Sequence, residues 1–336
     1  MLISLKCVEE DKVGDKWQKY FNKSWPFYKR WYLQEGYTAR PGYLSCLEQL
    51  EEHMPEIIPI YEQVVEKAGN GDLVSRYLSL YNPPAFMSGC TQVAWNKPPF
   101  SLIRNYDYNP RWFEGVLFKT NWLKPVIGIS DCNWGLLDGM NADGLAISLT
   151  FGGRKISGEG FGIPLIMRYV LETCKDVPQA VSTLLRLPSH MSYNVTILDK
   201  TGKYKTVYLT PDKGPHVDIE KVATNHQQDI EWLEYAEFTA TRERKAYLDH
   251  LVDYEVFNRD QLRQKFLQPP LYNKDIQKNF VTLYSMQYDL EELSATVFWP
   301  GKEKKVSFKQ FEEERLFVNI NKPSSGEFAR QNHYLI

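Results

Sequence analysis

This 336-residue chain has no long apolar runs, no surplus of one charge, no paired cysteines and no internal repeats, and each absence removes a class of function. Its longest apolar stretches, Val126 to Ile129 and Phe161 to Met167, fall far below the roughly 18 residues that cross a bilayer, so no membrane insertion is expected. Forty Lys and Arg stand against 42 Asp and Glu, a net charge of −2, and nothing in that balance suggests a nucleic-acid or acidic-membrane surface. The apolar start is broken by Lys6 and then by four acids (Glu9, Glu10, Asp11 and Asp15), unlike a signal peptide, and a soluble cytoplasmic protein is the expectation. Five cysteines, at 7, 46, 90, 132 and 174, form no CxxC pair, so neither a disulfide framework nor a zinc cluster fits. Hydrophobic residues at 43% and charged residues at 24% are globular values, and the length suits one large domain or two.

The texture changes along the chain. Residues 1–89 are dense in aromatics from Trp17 to Tyr37 and then turn periodic. Leu44, Leu47, Leu50, Met54, Tyr61, Val64 and Val65 recur at helical spacing up to the stop at Gly69-Asn70-Gly71. A shorter helix, Leu73 to Tyr81, ends at Asn82-Pro83-Pro84, so the whole leader reads as helical. From Phe86 short strands take over: Cys90 to Trp95, Ser101 to Tyr108, Pro125 to Ser130 and Leu145 to Phe151. Two helices follow, one with Pro164 in its first turn and one capped by Asp176. Then come a hairpin across Lys200-Thr201-Gly202, a helix over 232–254 and a closing hairpin from Val281 to Trp299. This alternation predicts an α+β layered fold, and the polar stretch 322–336 reads as a loosely held tail.

Cys90 is the cysteine whose surroundings invite chemistry. A thiol becomes a nucleophile when a cation lowers its pKa, a base removes its proton and donors receive the charge formed on the attacked oxygen. Arg104 and Asp107 lie one hairpin away, where Arg104 would favour the thiolate and Asp107 would orient a neighbouring amine or amide. A plain structural salt bridge beside a core cysteine explains the same spacing. Asp138-Gly139-Met140-Asn141 before Gly144 reads as a turn, and Thr224-Asn225-His226 as a loop. His226 suggests a papain-like pairing less than it suggests loop structure, and the histidines at 53, 190, 216, 250 and 333 lack ligand spacing.

Taken in order, these pieces resemble a known family. Gly89-Cys90-Thr91, Arg104-Asn105-Tyr106-Asp107, Asp138-Gly139-Met140-Asn141, Asn194 with Asp199 and Gly202, Thr224-Asn225-His226 and Thr241-Arg242-Glu243-Arg244 are similar to motifs of the acyl-coenzyme A:6-aminopenicillanate (isopenicillin N) acyltransferases. Those are N-terminal-nucleophile (Ntn) hydrolases related to choloylglycine hydrolases and acid-ceramidase-like amidases. The resemblance covers about residues 86–310 and implies a four-layer αββα sandwich of two antiparallel sheets between helices. The expected organisation is a helical leader at 1–89 (propeptide, subunit or retained domain), a catalytic domain at 90–321 and the tail.

The resemblance further implies self-cleavage of Gly89-Cys90. An α-amine titrates near 7.7 to 8.0 and serves as a general base near neutrality, which an internal amide nitrogen does not. Cys90 would be the nucleophile, Arg104 and Asp107 would hold it and the substrate, and Asn225 would donate to the oxyanion. A second donor is expected on the backbone near Leu149 or Thr150. A second arginine is Arg242 if the Thr-Arg dipeptide is the anchor and Arg244 if Thr-x-x-Arg is, and Asn141 joins Arg244 and Thr150 among secondary site residues. The strand ending Val207-Tyr208-Leu209 departs from relatives that often carry an acid there.

The expected activity is that of a thiol amidohydrolase or acyltransferase, a linear amide C–N hydrolase, acting on a small acyl amide or acyl thioester. No metal or redox cofactor is implied, acyl-coenzyme A would be a substrate, and the oligomeric state, a homo-oligomer included, stays open. The rival is a non-catalytic Ntn-like scaffold whose retained leader blocks the site, making the protein a binding or regulatory module.

Overall fold

The computed structural model describes residues 1–254, 258–274 and 280–320, so the expected tail, 322–336, lies wholly outside the described residues. The chain opens with a strand, β1 (Leu2–Glu10), where the leader was expected to be helical throughout. Ile3, Leu5 and Cys7 are buried while Ser4 and Lys6 face outward, a period of two that a strand between partners requires. The helices follow: α1 (Asp15–Tyr32), α2 (Tyr43–His53), α3 (Ile58–Lys67) and α4 (Asp72–Leu78). The periodic stretch from Leu44 to Val65 is two helices, because Pro55 disfavours the helical conformation at Met54, which sits at φ −138°, ψ 49°.

Strands β2 (Gly89–Trp95), β3 (Ser101–Tyr108), β4 (Val116–Asn121), β5 (Pro125–Asp131), β6 (Gly135–Asn141) and β7 (Leu145–Phe151) come next. Helices α5 (Ile163–Thr173) and α6 (Val177–Arg186) follow, the latter capped by the Asp176 carboxylate, which accepts from the Gln179 N–H. The chain continues through β8 (Tyr193–Asp199), β9 (Tyr204–Leu209), β10 (His216–Asp218) and β11 (Val222–Ala223). The helix expected over 232–254 is two pieces, α7 (Leu233–Phe238) and α8 (Thr241–Asp253), separated where Ala240 takes φ +48°. Then α9 (Arg259–Lys265), β12 (Val281–Asp289), β13 (Ser294–Trp299), β14 (Lys302–Ser307) and β15 (Arg315–Asn319) complete the order.

Two sheets result, one of nine strands ordered β10-β9-β8-β7-β6-β5-β4-β1-β15 and one of six ordered β11-β2-β3-β12-β13-β14. They meet face to face where β2 and β3 lie against β7 and β8. Helices α5 and α6 cover the outer face of the larger sheet. On the other side Leu248 of α8, and Leu262 and Phe266 on and just after α9, close a second core over Val93 and Ile103 of the smaller sheet. The layers are therefore αββα, with one departure from purely antiparallel sheets: β1 runs parallel to β4 and antiparallel to β15.

Residues 1–89 share one apolar core with these strands. The indole N–H of Trp17 donates to the Asn133 carbonyl, that of Trp134 donates to the Leu78 carbonyl, and the Tyr77 hydroxyl donates to Asn133 Oδ1. Gly115, at φ +64°, lets β4 approach β1 so closely that a Cβ there would stand 2.2 Å from the Ser4 carbonyl oxygen.

Candidate active site

Cys90 sits at the head of β2, in register with Tyr106 of β3, and is wholly buried. Gly89 before it faces Asp107, and a Cβ at Gly89 would fall 2.3 Å from the Phe280 ring, so the backbone is pinned there by an aromatic lid. Residues three apart on a strand point to opposite faces. Arg104 therefore projects between the two sheets, and Asp107 toward the helical layer of α8. Arg104 Nη2 donates to Cys90 Sγ at 3.0 Å, while Nη1 donates to the Leu137 carbonyl and to Asp138 Oδ2, both at 2.8 Å. Asp138 also accepts from the hydroxyls of Tyr284 and Tyr288.

Asn225 closes the other side. Its Oδ1 accepts from the Cys90 backbone N–H at 2.9 Å and from Arg244 Nη2 at 2.7 Å. Its Nδ2 donates to the carbonyls of Ser88 (3.1 Å) and Phe151 (3.3 Å). Arg244 also donates to the Cys90 carbonyl at 2.6 Å and stands 3.8 Å from Asp107, whose Oδ1 accepts from Thr282. The Asn225 loop is fixed by its neighbours: Asn194 Nδ2 donates to the carbonyls of Thr224 and His226, Thr150 Oγ1 donates to the Thr224 carbonyl, and the Asn225 N–H donates to Thr241 Oγ1.

Cys90, Arg104, Asp107 and Asn225 thus come together, and of the two candidate arginines it is Arg244 that joins them. Arg242 is exposed on the opposite side of α8. Thr241 and Arg244, three apart, share one helix face, whereas Arg242 is rotated about 100° from Thr241. Asn141 is also displaced from the site. Its Nδ2 donates to the carbonyls of Leu171 and Cys174 and its Oδ1 accepts from the Asp143 and Leu145 N–H groups, which ties α5 to the β6–β7 turn. Asp138, read as part of a turn, lies within β6; the turn is Ala142-Asp143-Gly144, with Gly144 at φ +84°. Sequence reasoning also passed over Tyr235, whose hydroxyl donates to the Ser88 carbonyl at 2.9 Å.

Burial dominates the electrostatics. It pushes the Cys90 thiol up from its ordinary value, against Arg104, which pulls it down. The same burial raises Asp107 and Asp138, opposed mainly by Arg244 and Arg104 respectively. His226 is held down to about 4 by burial and by Lys245, Arg244 and Arg242, so it is neutral near pH 7. Cys7 is pushed up to about 11 and Cys132 well above its ordinary value, and among the described residues no guanidinium donates to either sulfur; Cys46 is also pushed up by burial, against Ser79 and Arg76.

A guanidinium on the buried thiol, an amide oxygen on the backbone N–H and a second arginine on the carbonyl thus all meet at one residue, Cys90. Residues 95–304 match the family described as "Acyl-coenzyme A:6-aminopenicillanic acid acyl-transferase". The chain belongs to that family. It is accordingly an enzyme of the acyltransferase type. The match contains Arg104, Asp107, Asn225 and Arg244, and Cys90 stands just ahead of it. Similar solved structures include penicillin V acylase from Agrobacterium tumefaciens, at 13% identity over 66% of this chain and 86% of that one, TM-score 0.44. A mutant of the conjugated bile acid hydrolase from Clostridium perfringens shows 15% identity over 71% and 99%, TM-score 0.40. The Caenorhabditis elegans ortholog of N-acylethanolamine-hydrolyzing acid amidase shows 12% identity over 60% and 92%, TM-score 0.42. No curated protein resembles the chain closely enough to count as a match.

Proposed function

We propose that the protein is a thiol amidohydrolase or acyltransferase whose nucleophile, Cys90, is released by self-cleavage of the Gly89–Cys90 bond. The observation that carries this reading is the convergence of Arg104 on the sulfur, Asn225 on the backbone nitrogen and Arg244 on the carbonyl of one residue. A structural cysteine needs none of these. In the uncut chain the thiol is buried and protonated, and Ser88, Gly89, Phe280 and Tyr235 lie over it. Cleavage is then both activation and unblocking.

In the first step Cys90 Sγ attacks the Gly89 carbonyl carbon, the C–N bond breaks, and the thiol proton goes to the departing nitrogen. Water then hydrolyses the thioester, leaving a Gly89 carboxylate and a free Cys90 α-amine. Asn225 Oδ1, which already accepts from that nitrogen, orients the amine toward Sγ. Loss of the Ser88 carbonyl frees an Asn225 N–H, and a freed donor beside the nucleophile stabilises an oxyanion. In turnover the amine takes the thiol proton, Sγ attacks an acyl amide or thioester, the leaving group departs with that proton, and water or an amine accepts the acyl group. Arg244 and Asp107 hold the loop and strand that carry these groups.

Intact mass and N-terminal sequencing of freshly purified protein test this reading. Wild type is expected as fragments of roughly 10 and 29 kDa, the larger beginning Cys-Thr-Gln, and Cys90→Ala as a single chain. The complete burial of Cys90 favours one other reading, a scaffold blocked by its leader. Wild type that stays whole after prolonged incubation, with no acyl-amide hydrolysis, would establish that scaffold and end the self-cleavage proposal.

A further inference from the structure

A cavity of about 440 Å³ lies away from Cys90, between α1 and the strands β1 and β4 of the large sheet. Its walls come from both sides of the Gly89–Cys90 bond: α1 and β1 from the leader, β4 and the 111–116 segment from the rest of the chain, with Arg315 at the rim. On α1, Lys16, Lys19, Tyr20, Lys23 and Phe27 recur at three- and four-residue spacing, so one helix face delivers them all. On β1, Ser4, Lys6 and Val8 alternate onto the same cavity.

The charge around this cavity is one-sided in a chain whose net charge is −2. Lys6, Lys19, Lys23, Arg111 and Arg315 all line it, and among the described residues none has a carboxylate within ion-pairing distance. Lys16 is the exception, paired to Glu313 at 2.9 Å. The acid in the lining, Glu114, is already engaged: the Tyr28 hydroxyl and the Asn133 N–H both donate to Oε1. Burial and the neighbouring Asp131 raise its pKa. Beneath the cations the surface is aromatic, with Tyr20, Phe27, Trp112 and Phe113 in the lining and the Phe27 and Trp112 rings edge to face at 5.3 Å.

Unpaired cations gathered over an aromatic floor have no folding rationale, because like charges repel and exposed aromatics cost solvation. The arrangement fits a ligand that answers both features. We infer that this cavity binds an amphipathic organic anion, its apolar body against Phe27, Trp112 and Phe113 and its negative group among Lys6, Lys19, Lys23 and Arg111. The volume is within the usual range for small-molecule sites, roughly 300–1,000 Å³. Its concave shape favours a discrete molecule over a membrane surface. This site stands independently of the Cys90 chemistry, and a ligand in it bridges the leader to the remainder of the chain.

Calorimetric titration of the purified full chain with 2-naphthyl phosphate tests the inference. One saturable site is expected, with 2-naphthylmethanol binding at least about tenfold more weakly because it lacks the anion. Raising NaCl from about 50 to about 300 mM should weaken the phosphate ester and leave the alcohol unchanged. Lys19→Glu/Lys23→Glu changes two exposed side chains. It should therefore keep the melting temperature and the mass pattern of wild type while reducing phosphate-ester affinity at least about tenfold. Equal affinity for the alcohol, undiminished binding in the double variant, or absence of saturable binding would each overturn the site. Binding to phosphatidylglycerol vesicles without binding of the soluble ester would also overturn it and assign the patch to a membrane surface.

Discussion

Asn225 carries more bonds than a donor to an oxyanion requires, and this sets how its role is tested. In the uncut chain Oδ1 accepts from Cys90 and Arg244 while Nδ2 donates to two carbonyls, all buried. Asn225→Ala leaves an arginine and a backbone N–H unpaired, at about 1–3 kcal/mol for each buried group, so a loss of activity there mixes folding with catalysis. Asn225→Asp is the cleaner probe. It keeps an oxygen toward Cys90 and Arg244, and in place of the donor it sets a carboxylate oxygen that faces the Ser88 and Phe151 carbonyls and would repel an oxyanion. The expected result is a lowered melting temperature with the protein still folded, and a kcat lower by at least about 10²–10³ with little change in KM, because both the lost bond and the added charge act on charge that appears in the transition state. Near-wild-type kcat in folded Asn225→Asp would remove Asn225 from the oxyanion site.

At the scale of the element the decisive feature is β1. A propeptide that leaves after cleavage should be peripheral, yet β1 is an interior strand of the large sheet, bonded to β4 on one side and β15 on the other. The leader also buries Trp17, Phe21, Tyr61 and Tyr77 in the common core. Cutting Gly89–Cys90 breaks one covalent bond and none of these contacts. The two fragments are therefore expected to co-elute in size-exclusion chromatography and to separate only after unfolding in denaturant; elution of the roughly 10 kDa piece alone under native conditions would refute this. Much of this was open to local reading and some was not. The alternation of Ile3, Leu5 and Cys7 was visible, but its partners lie more than a hundred and more than three hundred residues away, and nothing local announces them. The β2–β3 and β12–β13 hairpins and the Asp176 cap were legible because turn and cap chemistry are local. The break at Ala240 carries no glycine or proline to mark it, yet it starts α8 where Thr241 and Arg244 reach the site. The choice of Arg244 over Arg242 was contained in the i, i+3 spacing from Thr241, which a reading by dipeptide overlooks.

Across the whole molecule, the sandwich is joined by a buried charge as well as by apolar packing. Arg104 on the small sheet reaches Asp138 on the large one, and Tyr284 and Tyr288 complete the shell around that carboxylate. Both partners are essentially without solvent contact, so each depends on the other for charge balance. Arg104→Met leaves the Asp138 carboxylate facing the sulfur of Cys90 with no cation, and removing one member of a buried pair costs about 3–5 kcal/mol. The loss should depend on pH in a definite direction. Burial already raises the Asp138 pKa, and Arg104 is the largest influence opposing it, so the variant's pKa rises further. A carboxyl group whose folded pKa exceeds its unfolded value binds more protons when folded, and its stabilisation is lost as pH rises through the folded pKa. Urea unfolding of Arg104→Met at pH 5 and pH 8 should therefore show the larger deficit at pH 8. Adding Asp138→Asn keeps an oxygen for the two tyrosines and removes the charge, which should recover most of the stability at pH 8. Activity should stay lost, because the guanidinium on Cys90 Sγ is still missing. A deficit equal at both pH values and unrelieved by Asp138→Asn would mean that Arg104 acts in the sandwich by packing alone.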